Sequence, residues 1–96
     1  MSDDLLYDHA IRVAGVSFHL KSNSRLISDD IYVERMKDNP VDPKAIGVWN
    51  VNKDNNLFVF CGYLPKEMAQ VIEDSQLPKW GKIIWRDEEL GIRILV

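Results

Sequence analysis

Two stretches decide the fold: Glu34-Arg-Met-Lys-Asp-Asn-Pro-Val-Asp-Pro-Lys-Ala-Ile-Gly-Val48 and, after a hairpin, Cys61-Gly-Tyr-Leu-Pro-Lys-Glu-Met-Ala69. The first reads as the end of one strand, a stiff Asn-Pro-x-Asp-Pro turn and the start of another strand. Pro40 and Pro43 have no N–H to give to a sheet, so Lys37 to Lys44 is a turn or loop and not a central strand. Asn39 and Asp42 are side chains of the kind that bond neighbouring backbone N–H groups. The second stretch reads as a strand, a glycine and a helix start. Proline suits a first helical turn, and Glu67 favours the amino-terminal end of the helix dipole.

Working outward, Ala45 to Val51 and Leu57 to Leu64 are strands joined by the turn Asn52-Lys-Asp-Asn-Asn, whose residues tolerate left-handed geometry. The apolar run in the second of them predicts burial on both faces over part of its length. Ile31 to Met36 is the strand before the proline turn. The helix is expected from Pro65 to about Ser75, with Met68, Val71 and Ile72 as its apolar stripe and Leu64 as a staple. Pro78 ends it. Lys82 to Arg86 and Gly91 to Val96 form a closing hairpin. His9 to Leu20 reads as the first strand, with Ile11, Val13, Gly15 and Ser17 on one face. Residues 1–8 are a short lead-in to a domain spanning residues 9–96. Six short strands and one clear helix predict a mainly β fold, a small barrel or a two-layer sheet.

The chain has 96 residues, 46% of them hydrophobic, which suits one small globular domain. No run approaches the roughly 18 apolar residues of a membrane span. Met1-Ser-Asp-Asp lacks the basic and apolar regions of a signal peptide, and the lone Cys61 excludes an internal disulfide. Both features lead us to expect a cytoplasmic protein. The net charge is −3, against the basic surplus usual in nucleic-acid binders. Asp3, Asp4 and Asp8 fall in the first eight positions, and the remainder holds 12 basic and 12 acidic residues (15 − 3). A local basic groove is therefore compatible with the composition.

Catalytic constellations do not emerge. There is no Gly-rich phosphate loop and no paired His or Cys at metal-ligand spacing, so no enzyme activity, cofactor or metal is expected. His9 and His19 are ten residues apart, about 30 Å along a strand. Cys61 lies in an apolar run and reads as a buried structural thiol. Asp29 and Asp30 read as solvated residues at the beginning of a strand, and Asp87-Glu-Glu as a solvated turn.

The motif stretches carry the functional signal. Unpaired N–H groups at a helix start attract anions. If the proline turn and the helix start converge, Asp42 and Lys66 bound a polar notch suited to a sugar hydroxyl beside a phosphate. Here the sequence resembles the HIRAN domain family. The family pattern runs from a strand ending in Arg-Glu through Asn-Pro-Tyr-Asp-x-Asn-Ala-Ile-x-Val to Gly-(Tyr/His)-(Leu/Ile)-Pro-x-Glu-(Leu/Met)-Ala. It is met by Glu34-Arg35, by Asn39 to Val48 and by Gly62 to Ala69, and Val13 to Phe18 looks like the family's first strand.

The resemblance implies an OB-like or SH3-like β-barrel of about six strands with one or two helices. It further implies a domain that holds the 3′ end of single-stranded DNA, in DNA repair, replication or phage DNA metabolism. Carried over, Asp42 accepts the terminal hydroxyl, Asn39 is a polar neighbour, Phe18 is a stacking platform, and Tyr63 and Lys66 contact base or phosphate. Two departures weaken that DNA binding: Val41 replaces the turn tyrosine, and Ser17 an expected arginine. The plain alternative is that Asn39 and Asp42 only cap the turn, Phe18 is core and Lys66 is solvated. A protein-interaction module is the competing function, suggested by the acidic surplus and by Trp49, Trp80 and Trp85.

Overall fold

Isoleucine and valine at alternate positions set the inner face of the sheet. In Asp30–Arg35 (β2), Ile31 and Val33 are fully buried, while Tyr32 and Glu34 point outward. In Ile46–Asn52 (β3), Ile46, Val48 and Asn50 take the same inner face. Each fully buried Ile or Val stabilises by about 1.5–3 kcal/mol relative to exposure. Buried Asn50 is satisfied: its amide donates to the carbonyls of Ser28 and Asp30, both at 3.0 Å. The remaining elements are Ile11–Arg12 (β1), Leu57–Tyr63 (β4), the helix Lys66–Val71 (α1), a 3-10 turn Asp74–Gln76, Lys79–Asp87 (β5) and Gly91–Leu95 (β6). The computed structural model describes residues 5–6, 9–15, 28–87 and 91–96.

The strands form one antiparallel sheet in the order β1-β6-β5-β2-β3-β4. Register shifts at Val48/Trp49 and at Ile83/Trp85 are the kind of irregularity that bends strands and curls a sheet. The curl brings the two edges together at one point, where Ala14 bridges Tyr63 through bonds of 2.7 and 2.9 Å. Gly62 makes this approach possible: a β-carbon there would lie 2.2 Å from the Ala14 carbonyl oxygen. The enclosed core holds Ile11, Val13, Ile31, Val33, Ile46, Val48, Cys61, Leu64, Ala69 and Ile94 among others. The fold is the expected mainly β one, a small OB-like barrel with one short helix among the described residues.

Several boundaries differ from the sequence reading. The first strand is two residues long, followed by the bridge at Ala14, and Gly15 at φ 79° takes the chain out of extended geometry. The rest of that expected strand, Val16 to Leu20, lies outside the described residues. The helix stops at Val71, and Ile72 is already extended at φ −77° and ψ 129°. Val71, expected in the apolar stripe, is 76% exposed, and Ala69 is buried in its place. The cause is Arg35, which donates to the carbonyls of Ala69 and Ile72 and to Asp74, so the chain turns where those acceptors are held. β5 starts at Lys79, three residues early, because Lys79 and Trp80 pair with Val33 and Tyr32. The lead-in is tied to the core: the N–H of Leu6 donates to the Val96 carbonyl at 2.6 Å.

Candidate functional site

The proline-bracketed turn is built as its side chains dictate. Asn39 Oδ1 accepts the N–H groups of Val41 at 2.9 Å and Asp42 at 3.1 Å. Asp42 Oδ1 accepts the N–H of Lys44 at 3.0 Å. The N–H of Ala45 donates to the Asp42 carbonyl, and that of Met36 to the Ala45 carbonyl. Side-chain oxygens thus accept the N–H groups that the turn leaves without ladder partners. A carboxylate offers about four lone-pair sites, and the turn occupies one of them on Asp42. Val41, where the family pattern has tyrosine, stands at the turn with 90% of its surface exposed.

The turn and the helix start lie at the same end of the sheet. The turn runs into β3 at Ile46, and β4 runs into α1 at Lys66. Between them the N–H of Leu64 donates to the Ile46 carbonyl at 3.0 Å, and Tyr63 pairs with Gly47. Arg35 completes the junction. Its guanidinium donates to the carbonyls of Lys44 at 2.6 Å, Ala69 at 2.8 Å and Ile72 at 2.5 Å, and to Asp74 Oδ1 at 2.8 Å. Lys66 is exposed, and among the described residues no hydrogen bond or ion pair joins it to Asp42. At six residues α1 is under two turns long, which limits its dipole.

The outer face of the sheet carries aromatic rings. Register places Trp80, Tyr32, Trp49 and Phe60 in one row across β5, β2, β3 and β4. Their ring centroids are 5.1, 6.1 and 5.4 Å apart in that order. Phe58 packs edge-on against Tyr32, and Tyr63 against Phe60. Gly47 gives the Trp49 indole room to fold back over the sheet, since a β-carbon there would sit 2.6 Å from the ring. Trp80 and Phe58 remain 44% and 41% exposed, and Lys53 Nζ lies 4.5 Å from the Trp80 ring centroid.

Trp49 also lines an open groove of about 680 Å3, together with Glu34, Met36, Asn39, Pro40 and Pro78. Its charged lining is Arg35 and Lys37 against Glu34, Asp38 and Asp74. Arg35 and Lys37 both face Asp74, at 2.8 and 3.9 Å. The local basic groove compatible with the composition is therefore not found here.

Of the expected site residues, Asn39 both shapes the turn and lines the groove. Asp42 sits in the turn, and Tyr63 reaches the groove through Phe60 and Trp49. Lys66 is exposed at the start of α1, and Phe18 lies outside the described residues, as does His19. Of the row formed by Tyr32, Trp49, Phe60 and Trp80, only the two tryptophans are expected from the sequence, as protein-interaction residues, and the row itself is not. Its signal is present there as aromatics at outward-facing positions of four strands, but the row exists only once the strands are ordered.

Elsewhere the chemistry is structural. Burial pushes the Cys61 thiol up to about 11. Asp30 accepts from Lys82 Nζ at 2.5 Å, which holds its carboxyl below the ordinary range, and Asp29 pairs with Arg86 at 3.3 Å. Both stand at the start of β2 in contact with solvent, as expected, and each also pairs with a cation. Among the described residues no cluster of three His, Cys, Asp or Glu could hold a metal, and no helix is long and apolar enough to cross a membrane.

The HIRAN domain family model matches residues 7–76. No curated protein and no solved structure matches the chain. The match spans most of the sequence and contains the proline turn, both strands that flank it and the helix start. The chain therefore belongs to the HIRAN domain family, a family of nucleic-acid-binding modules.

Proposed function

We propose that this domain recognises the 3′ end of single-stranded DNA at the proline-bracketed turn, in DNA repair, replication or phage DNA metabolism, and catalyses no reaction. The carrying observation is the shared location of turn and helix start, joined by the Leu64–Ile46 bond. In this reading Asp42 accepts the terminal hydroxyl through lone pairs the turn leaves over. Asn39 fixes the turn geometry and offers a polar contact. Tyr63 and Phe18 stack on bases, and Lys66 acts as a point charge on a phosphate. A carboxylate suits a hydroxyl donor and repels a phosphate, so the chemistry of Asp42 discriminates between the two ends. The single thiol is buried and raised by that burial, which fits a structural cysteine in a cytoplasmic protein.

Fluorescence anisotropy with labelled single strands tests this. Tighter binding to a free 3′-hydroxyl than to a 3′-phosphate is expected, with the preference abolished in Asp42→Ala. Equal affinity for both ends, or none for either at low salt, sinks the reading.

A protein-interaction module is the second reading, favoured by the absence of a cationic surplus in the groove lining. Recovery of one defined protein after nuclease treatment, by the wild-type domain and not by Trp80→Ala, would support it.

A further inference from the structure

We infer that the aromatic row on the outer face of β5, β2, β3 and β4 is a stacking platform for the unpaired bases that lead to the strand end. This rests on the end-binding reading above and extends it from one nucleotide to a path. Four rings in register, Trp80, Tyr32, Trp49 and Phe60, cross four adjacent strands. At about 4.8 Å per strand the row is roughly 14 Å long. A four-stranded sheet with exposed aromatics takes about two or three bases in this way.

Three observations favour a nucleic-acid occupant. The row is continuous with the end site, since Phe60 packs against Tyr63 at 5.3 Å and Trp49 shares the groove with Asn39. The rings brace one another, so Trp80 and Phe58 present partly exposed rings at little further loss of freedom. Charge is also graded along the face. Beyond the row at the hairpin end, Lys53, Lys82 and Arg86 stand with two carboxylates, Asp29 and Asp30. At the groove end the carboxylates of Glu34, Asp38 and Asp74 outnumber the cations. A strand with its phosphates toward Lys53 and its terminal hydroxyl toward the turn matches that gradient.

The experiment uses the full chain and oligothymidylates of two, four, six and eight nucleotides, with circular single-stranded DNA as a ligand without an end. Affinity is expected to rise between two and six nucleotides, with quenching of tryptophan fluorescence. Trp80→Ala should weaken binding of the longer strands roughly five- to a hundredfold and leave the dinucleotide unaffected. Lys53→Glu leaves every ring in place and should also weaken only the longer strands, so a folding defect in Trp80→Ala cannot decide the matter alone. Unchanged affinity in both variants at every length overturns the platform, whatever Asp42→Ala does. So does Trp80-dependent capture of a protein without binding of any oligonucleotide. Circular DNA bound as tightly as linear, with Trp80 sensitivity, supports the platform and overturns end recognition.

Discussion

The guanidinium of Arg35 donates to the carbonyl of Lys44 at 2.6 Å, tying the end of the proline turn to the strand that leads into it. The same group holds the carbonyls of Ala69 and Ile72, so one side chain fixes the turn relative to the helix. Its planar fork of donors suits several acceptors at once, which an ammonium cannot match.

Arg35→Ala is therefore expected to destabilise the domain by about 3 kcal/mol or more, because it strips a donor from three carbonyls together. Urea denaturation measures this, and the midpoint temperature should fall by more than about 10 °C. Arg35→Lys should recover only part of the loss. A variant within experimental error of wild type would mean that the junction is held by something else.

Val41→Tyr restores the family's turn aromatic at a position that is 90% exposed. Stability should change by no more than about 0.5 kcal/mol. Affinity for a strand with a free 3′-hydroxyl should rise roughly fivefold or more by anisotropy, as stacking on an added ring predicts. No gain would place the terminal base away from the turn.

Gly47→Ala introduces a β-carbon 2.6 Å from the Trp49 ring and 2.8 Å from the Met36 sulfur. The indole must move, at an expected loss of about 1–3 kcal/mol. Near-ultraviolet circular dichroism and tryptophan emission should both change. An unaltered aromatic spectrum would show that the ring has room to spare.

The Asp30–Lys82 pair gives stability a definite pH dependence. The hydrogen bond from Lys82 lowers the folded pKa of Asp30 from its ordinary 3.8. Its contribution is present above 3.8 and is lost as the pH falls through the lowered value. Lys82 is raised above 10.5 by the same bond, so its contribution is present below 10.5 and fades as the pH rises through the raised value. Asp30→Asn should lower stability at neutral pH and flatten the acid limb of a denaturation-against-pH curve. An acid limb identical to wild type would remove the pair as its source.

Cys61 should resist a thiol reagent such as dithionitrobenzoate at mildly alkaline pH, because the thiol is buried and that burial pushes its pKa up to about 11. Modification should proceed at the rate of unfolding and become immediate in denaturant. Fast labelling of the native protein would contradict that burial.

The turn from Asn39 to Ala45 is readable in the linear order because its determinants are neighbours. Prolines refuse the ladder, and Asn39 and Asp42 bond N–H groups two or three residues ahead. The Asn52 to Asn56 hairpin is readable for the same reason, down to Asn56 at φ 56°. The helix reads too long because the periodicity of Met68, Val71 and Ile72 says nothing of Arg35, which captures its last carbonyls from another strand. Lys79 to Gly81 does not read as strand because its partners are in β2.

Local order thus encodes which segments are extended, where they must turn, and which side chains could meet a strand end, since dihedral preference and short-range bonds act over a few residues. It leaves open which strands become neighbours. Trp80 stands beside Tyr32, and Ala14 beside Tyr63, because distant segments bury apolar surface and pair their backbones together. That choice is made by the free energy of the closed sheet as a whole, which no window of adjacent residues contains.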